Sequence, residues 1–273
     1  MVIVLDPEFS AALPAVDDVF ACILQIEGEI YRDTGQRRTS SFLLGGQRYF
    51  LKLHCGVGWG EILMDLVRLR KPVLGARNEW LALQRLQGLG IETMVAAGYG
   101  QRGANPARLQ SFVITRALEA TRSLEDLCRT WGESPSPGRQ ALWLKRALIR
   151  KVAEIARILH ENGINHRDFY LCHFLLDCSR DEAENQASGV RLYLIDLHRA
   201  QLRNTTPMRW RVKDIGSLFF SSMHIGLTHR DIYRFMKAYR MAALRTTLRN
   251  DKRFWQAVRT RALRMYQSFY NAH

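Results

Sequence analysis

Neither glycine-rich phosphate-binding signature occurs in this sequence. No G-x-x-x-x-G-K-[ST] is present, which argues against a P-loop enzyme, and Gly56, Gly58 and Gly60 follow a G-x-G-x-G spacing instead of the G-x-G-x-x-G that cradles a pyrophosphate. No regular strand–helix alternation follows those glycines, so a dinucleotide-binding turn is set aside. Cysteine is scarce. Cys22, Cys55, Cys128, Cys172 and Cys178 are odd in number and contain no C-x-x-C pair, which argues against a disulfide framework or a zinc site and for a reducing cytoplasm. No uninterrupted apolar run is long enough to cross a bilayer, and Met1–Glu8 carries no basic residue before its short apolar run. Membrane contact is therefore expected to be peripheral. Internal repeats and low-complexity tracts are absent as well.

Acidic residues are also in deficit, 26 against 40 Lys and Arg, giving a formal charge of +14. Such a surface attracts something anionic: nucleic acid, an acidic membrane, a phosphorylated glycolipid or an acidic protein. Charge alone does not choose among them. With 273 residues and 47% hydrophobic composition, the chain can bury the core of one large domain or of two packed lobes.

Residues 28 to 54 read as three short strands, punctuated by Asp33-Thr34-Gly35 and Gly45-Gly46. In the third, Tyr49, Leu51 and Leu53 point one way and Phe50, Lys52 and His54 the other. Helical patterns follow over roughly 60 to 70 and 76 to 88, the second with Glu79 in its first turn. Strands are expected at 91 to 99 and 109 to 117 around a polar loop at 100 to 108. Residues 115 to 119 then cross into a mostly helical region interrupted by a loop from Trp131 to Gly138. A long helix over about 139 to 161 carries Leu148, Val152, Ile155 and Leu159 on one face and stops at Asn162-Gly163. Phe174-Leu175-Leu176 and Arg191 to Leu197 read as strands joined by a polar hairpin tip at 178 to 190, and helices fill the remainder.

Within this frame, Ile164-Asn165-His166-Arg167-Asp168 follows the long helix, and Tyr193-Leu194-Ile195-Asp196 closes an apolar strand 28 positions after Asp168. An H-R-D triplet after a helix, with a second aspartate at the end of a later strand, is how protein-kinase-like enzymes position a catalytic base and a magnesium ligand. Asp168 would orient an acceptor hydroxyl and take its proton, with His166 and Arg167 shaping its loop. Alone, the triplet favours a plain turn in which Asp168 caps backbone amides, and its position after a capped helix and before a strand reverses that. Asp196 would hold a cation bridging phosphate oxygens, unless it is only a turn former. Lys52 has the strand position of the kinase lysine that neutralises ATP phosphates. Glu79 is its candidate partner, with Glu61 on the preceding helix as a rival. Asp214 is expected at the start of a helix, either as an acid favoured by the helix dipole or as a brace for the catalytic loop. The brace is the preferred reading.

Gly56-Val57-Gly58-Trp59-Gly60-Glu61, Pro72-Val73-Leu74-Gly75-Ala76-Arg77, Ile164 to Tyr170 with Cys172-His173-Phe174, and Leu194-Ile195-Asp196-Leu197-His198-Arg199-Ala200 together carry a resemblance. Over nearly its full length the chain resembles the lipopolysaccharide core heptose(I) kinases, the WaaP/RfaP-like group of the protein-kinase-like superfamily. The resemblance implies a two-lobed α+β kinase-like fold, with a nucleotide-binding lobe at 1 to 117 and a catalytic, acceptor-binding lobe at 118 to 273. It further implies ATP with its adenine against the backbone of 115 to 119, including Thr115 and Ala117, magnesium on Asp196, and transfer to the 4-hydroxyl of the first heptose of the inner core. The partners it implies are the anionic lipid A–core acceptor, the cytoplasmic face of the inner membrane and acyl carrier protein. No nucleic acid is expected.

Two departures stand out. The turn Asp33-Thr34-Gly35-Gln36 has one glycine where protein kinases have a glycine-rich loop. His173 stands where they keep a metal-binding asparagine; it is a candidate contact for ATP phosphate and a poor one for magnesium, to which imidazole binds weakly. The alternatives are another kinase-like sugar or small-molecule kinase, Kdo- or aminoglycoside-kinase-like, and a catalytically inactive basic module for lipid or RNA.

Overall fold

A period-two alternation of apolar side chains builds the first sheet. The computed structural model describes residues 1–67, 74–129, 131 and 138–271. The chain divides into two compact units, Met1–Arg85 with Met94–Leu118 and Leu197–Arg199, and Leu86–Thr93 with Glu119–Asp196 and Ala200–His273.

The first unit runs β1 (Val2–Leu5), α1 (Pro7–Ala12), α2 (Val19–Leu24), β2 (Glu29–Asp33), β3 (Arg37–Leu44), β4 (Gln47–Cys55), α3 (Gly58–Val67), α4 (Arg77–Gly88), β5 (Ala96–Arg102) and β6 (Gln110–Arg116). Its six strands form an antiparallel sheet in the order β1-β5-β6-β4-β3-β2. Tyr49, Leu51 and Leu53 of β4 are buried with Phe42, Phe112 and Ile114 beneath α1 and α2, whose Phe9, Phe20 and Ile23 are fully enclosed. Each such side chain stabilises the unit by roughly 1.5–3 kcal/mol through burial. β1, α1 and α2 were not anticipated from the sequence. The loop expected at 100 to 108 is shorter, because β5 continues to Arg102 and Pro106–Arg108 adds a 3-10 turn. Of the helix expected over 60 to 70, residues 68 to 70 lie outside the described residues, as do Pro72 and Val73.

The second unit contains β7 (Thr121–Ser123), α5 (Leu124–Cys128), α6 (Arg139–Glu161), β8 (Ile164–Asn165), β9 (Phe174–Asp177), α7 (Glu182–Ser188), β10 (Leu192–Leu194), β11 (Gln201–Leu202), α8 (Met208–Ser221), α9 (His229–Arg240), α10 (Leu244–Asn250) and α11 (Lys252–Tyr270). The loop expected from Trp131 to Gly138 lies, apart from its two ends, outside the described residues. α6 buries Leu148, Val152, Ile155 and Leu159, the stripe its 3.6-residue period lays on one face. It ends before Gly163, whose φ of +75° is a left-handed turn that glycine adopts without strain. β10-β9-β7 form one small sheet and β11-β8 a second. The polar tip at 178 to 190 holds a helix, α7, which starts in a capping box between Asp181 and Glu184. No described helix is long and apolar enough to cross a membrane.

Candidate functional site

The first unit supplies an ion pair. On β4, Lys52 alternates away from the buried Leu51 and Leu53, and its Nζ lies 2.7 Å from Glu79 Oε1 in the first turn of α4. Glu79 is 1% exposed and Lys52 24%, so a buried carboxylate steadies a cation that water still reaches. Glu61, the rival partner, has a side chain outside those described. His54, two positions along the same face, is pushed down to about 4 by burial and then by the like charges of Arg37, Lys52 and His198. Thr115 is buried in the middle of the sheet, and the Ala117 N–H donates to the Arg48 carbonyl at 2.9 Å. That amide is therefore engaged within the sheet. The turn from β4 into α3 depends on Gly56, with φ +88°, where a Cβ would lie 2.6 Å from the Ala107 carbonyl oxygen.

The second unit holds the H-R-D loop. Asp214 does not begin a helix, as expected; α8 starts six residues earlier, after Pro207, and Asp214 is fully buried inside it. Too far from the N-terminus to serve the helix dipole, its carboxylate accepts the N–H of His166 at 2.8 Å and of Arg167 at 2.9 Å. His160 Nε2 lies 3.3 Å from Asp214 Oδ2, and its Nδ1 is 2.8 Å from the Tyr239 hydroxyl. The tautomer that serves both donates Nε2–H to the carboxylate and accepts from the Tyr239 O–H. Burial raises the Tyr239 pKa and keeps it a donor. With four acceptor sites, the carboxylate draws backbone and side-chain donors onto one buried point, and Arg167 is held there at a φ of +76°. A non-glycine residue in that region stores about 1–3 kcal/mol, which its surroundings must offset.

Asp168 follows, half-buried. Its carbonyl accepts His173 Nδ1–H at 2.6 Å and the Tyr170 N–H at 3.0 Å. His166 Nε2–H donates to the Ile195 carbonyl at 2.9 Å, and the Ile195 N–H donates to the His173 carbonyl at 3.0 Å. The loop that follows β10 is thereby tied to the H-R-D loop on both sides of Ile195. β10 ends at Leu194, short of the strand expected through Leu197, because Asp196 takes a φ of +61°.

The Asp196 carboxylate lies 3.5 Å from His173 Nε2. Burial, the largest influence on His173, lowers its pKa, but Cys172, the Asp168 carbonyl and Asp196 together outweigh it and raise the imidazole to about 9. An imidazole protonated on both ring nitrogens has no lone pair to offer a metal. Among the described residues no group of three or more His, Cys, Asp or Glu converges on a metal position. A hard cation would be held through the Asp196 carboxylate and would supply positive charge against phosphate oxygens.

The sequence reading missed three supports of this loop. His160 lies one position from Leu159 on the inward face of α6, and a lone histidine on an apolar stripe signals a buried partner. Tyr239 carries no such signal. Arg203 hydrogen-bonds to the side-chain oxygens of Asn165 and Gln201, bridging β8 and β11.

Comparison with known proteins accounts for this geometry. Residues 22–239 match the model of the lipopolysaccharide kinase (Kdo/WaaP) family. The chain is 44% identical to the lipopolysaccharide core heptose(I) kinase WaaP of Pseudomonas aeruginosa, over 92% of this chain and 91% of that protein. It is 48% identical to the protein of that name from Escherichia coli K12, over 85% and 84%. A solved structure, WaaP in complex with acyl carrier protein, superposes with a TM-score of 0.81 at 38% identity, covering 97% of this chain and 100% of that one. The α+β fold is thus kinase-like. A lysine held by a buried glutamate, and an H-R-D loop braced by a buried aspartate, stand within a match that spans most of the sequence, and the chain belongs to the lipopolysaccharide kinase (Kdo/WaaP) family.

Proposed function

We propose that this protein is an ATP-dependent kinase that phosphorylates the 4-hydroxyl of the first heptose of the lipopolysaccharide inner core. The observation that carries the reading is the Asp214 brace, which fixes the two residues before Asp168 through their amides. The names of the relatives supply the acceptor.

In this reading residues 1 to 117 take the nucleotide and 118 to 273 the acceptor. Lys52, steadied by Glu79, neutralises α- and β-phosphate charge, and the adenine lies against the backbone of 115 to 119. Ala117 would offer its carbonyl, since its N–H is already donated. Asp168 orients the sugar hydroxyl and accepts its proton, while His166 and Arg167 hold the loop that carries it. Asp196 holds magnesium, which when bound neutralises charge on the phosphate oxygens. His173, cationic at neutral pH, contacts phosphate and keeps Asp196 in place.

A charge of +14 supports work at the anionic cytoplasmic face of the inner membrane and docking of an acidic protein, and acyl carrier protein is the partner named with the solved relative.

The test is transfer of labelled γ-phosphate from ATP to heptose-containing lipopolysaccharide that lacks core phosphate, comparing the wild type with Asp168→Ala and Asp196→Ala. Label with the wild type alone is expected. No label despite measurable ATP binding removes the acceptor assignment, and near-normal label with Asp168→Ala removes the base. A Kdo-terminated lipid in parallel decides between the sugar in the family's name and the heptose in the relatives' names.

A further inference from the structure

Helix α3 carries an apolar face that the proposed reaction does not use. Trp59, Leu63, Leu66 and Val67 stand at i, i+4, i+7 and i+8, the spacing that puts side chains on one side of a helix. Each is more than half exposed, as is Met64 three positions before Val67. By contrast α11, nineteen residues long, leaves Leu263, Phe269 and Tyr270 as its exposed large apolar side chains. The adjoining edge of α3 is anchored, because Ile62 is buried with Val57 and Ala107. The helix is thus held to the first unit by one edge and turns a contiguous apolar arc to water. Scattered apolar residues on a surface are ordinary, whereas an arc of this kind costs free energy until something apolar covers it.

Charge identifies the cover. By the 3.6-residue period, the positions of Glu61 and Asp65 fall on the side of α3 away from Trp59 and Leu63. The next residues in sequence are Arg68-Leu69-Arg70-Lys71, three cations in four positions. Arg108, on the 3-10 turn whose Ala107 packs with Ile62, is exposed as well. Apolar side chains bordered by cations match the boundary between acyl chains and anionic headgroups, where the first leave water and the second meet a negative surface potential. A second copy of the chain, seated on the same face across a two-fold axis, would set these cations against one another.

We propose that α3 inserts the face of Trp59, Leu63, Leu66 and Val67 into the anionic bilayer that carries the glycolipid acceptor. This rests on the acceptor assignment made above. The side-chain amide of Gln36 donates to the Val57 carbonyl at 3.5 Å and ties the β2–β3 turn to the start of α3. The turn that stands in place of a glycine-rich loop is therefore brought to the same surface.

Flotation with vesicles tests it. The whole chain is mixed with vesicles of phosphatidylethanolamine and phosphatidylglycerol, or of phosphatidylcholine alone, none containing lipopolysaccharide. The wild type should float with the anionic vesicles and far less with the neutral ones. The double variant Leu63→Ser, Leu66→Ser should bind roughly tenfold more weakly, since affinity scales with the apolar area inserted. Both side chains are exposed, so its unfolding midpoint should stay that of the wild type. Brominated acyl chains report which face enters: at equal bound protein they should quench the tryptophan fluorescence of the wild type more than that of Trp59→Phe.

Undiminished binding by the double variant overturns the proposal, and so does quenching that is the same in Trp59→Phe. Binding to neither kind of vesicle, or to both equally, overturns it also. A wild-type dimer that the double variant loses in sedimentation makes the face a contact between copies, which overturns it again. In transfer assays the double variant should raise the KM for acceptor held in vesicles roughly tenfold, with kcat and the KM for deacylated acceptor in solution unchanged. An equal rise for both acceptors marks a structural role and overturns it. If the wild type phosphorylates neither, the proposed reaction fails, and flotation, which needs no acceptor, alone decides whether α3 meets the membrane.

Discussion

His54 in the first unit and His166 in the second are both buried imidazoles beside functional charges, but their surroundings differ in sign. Every ionic neighbour that acts on His54, namely Arg37, Lys52 and His198, is a cation or becomes one, and its Nδ1 has no hydrogen-bond partner. Burial and the nearby His173 also lower the pKa of His166, yet Asp214, the Ile195 carbonyl and Asp196 push the other way. The first unit thus gathers like charge around His54, while the Glu79 carboxylate beside Lys52 is engaged in the ion pair. The second uses buried carboxylate as scaffolding, where Asp214 replaces water for two backbone amides and a histidine.

The difference is broken most directly at Asp214. Asp214→Ala leaves the His166 and Arg167 amides buried without an acceptor, and is expected to lower stability by about 3–5 kcal/mol in urea unfolding. Asp214→Asn keeps a single acceptor oxygen and should fall between. A loss below about 1 kcal/mol for the alanine variant would show that the loop does not depend on the brace.

His54 gives the next largest effect, and it appears only with pH. Its folded pKa of about 4 lies below its unfolded value of 6.5, so between these the unfolded chain binds more protons. The stability it confers is complete above 6.5 and is lost as pH falls towards 4, about 3 kcal/mol in all. His54→Phe should flatten the unfolding free energy across that window. An unchanged slope would place the acid sensitivity elsewhere.

Much of this was legible in the sequence, and the misses have physical causes. α6 was visible because Leu148, Val152, Ile155 and Leu159 keep a helical period and Asn162-Gly163 stops it. β2, β3 and β4 were visible because glycine-bearing turns separate alternating strands. α7 has no apolar face, and only the Asp181–Glu184 capping box announces it. β1 is four residues long and owes its place to pairing with β5, far along the chain. Pro207 could have marked where α8 begins, and overlooking it put Asp214 at a helix start. The Lys52–Glu79 ion pair was one of two pairings that order along the chain offered, whereas the Asp214–His160–Tyr239 chain joins residues that sequence separates widely. The left-handed turn at Asp196, with φ +61°, shortens the expected strand, and aspartate is one of the few non-glycine residue types that tolerate that conformation.

Two smaller effects sharpen the contrast. Gly163→Ala tests the entrance to the H-R-D loop, where φ is +75° and a Cβ would sit 1.8 Å from the Arg203 carbonyl oxygen. A loss of about 2 kcal/mol is expected in thermal or urea unfolding. Glu79→Gln tests the first unit in the opposite sense. The carboxamide fills the same space, and Lys52, 24% exposed, keeps access to water, so stability should change by less than about 1 kcal/mol. Phosphate transfer should nonetheless fall roughly tenfold or more, because a lysine without its anchor no longer meets the phosphates in one geometry. A variant that unfolds more easily yet transfers phosphate normally would make Glu79 a scaffold like Asp214, and the contrast between the units would be gone.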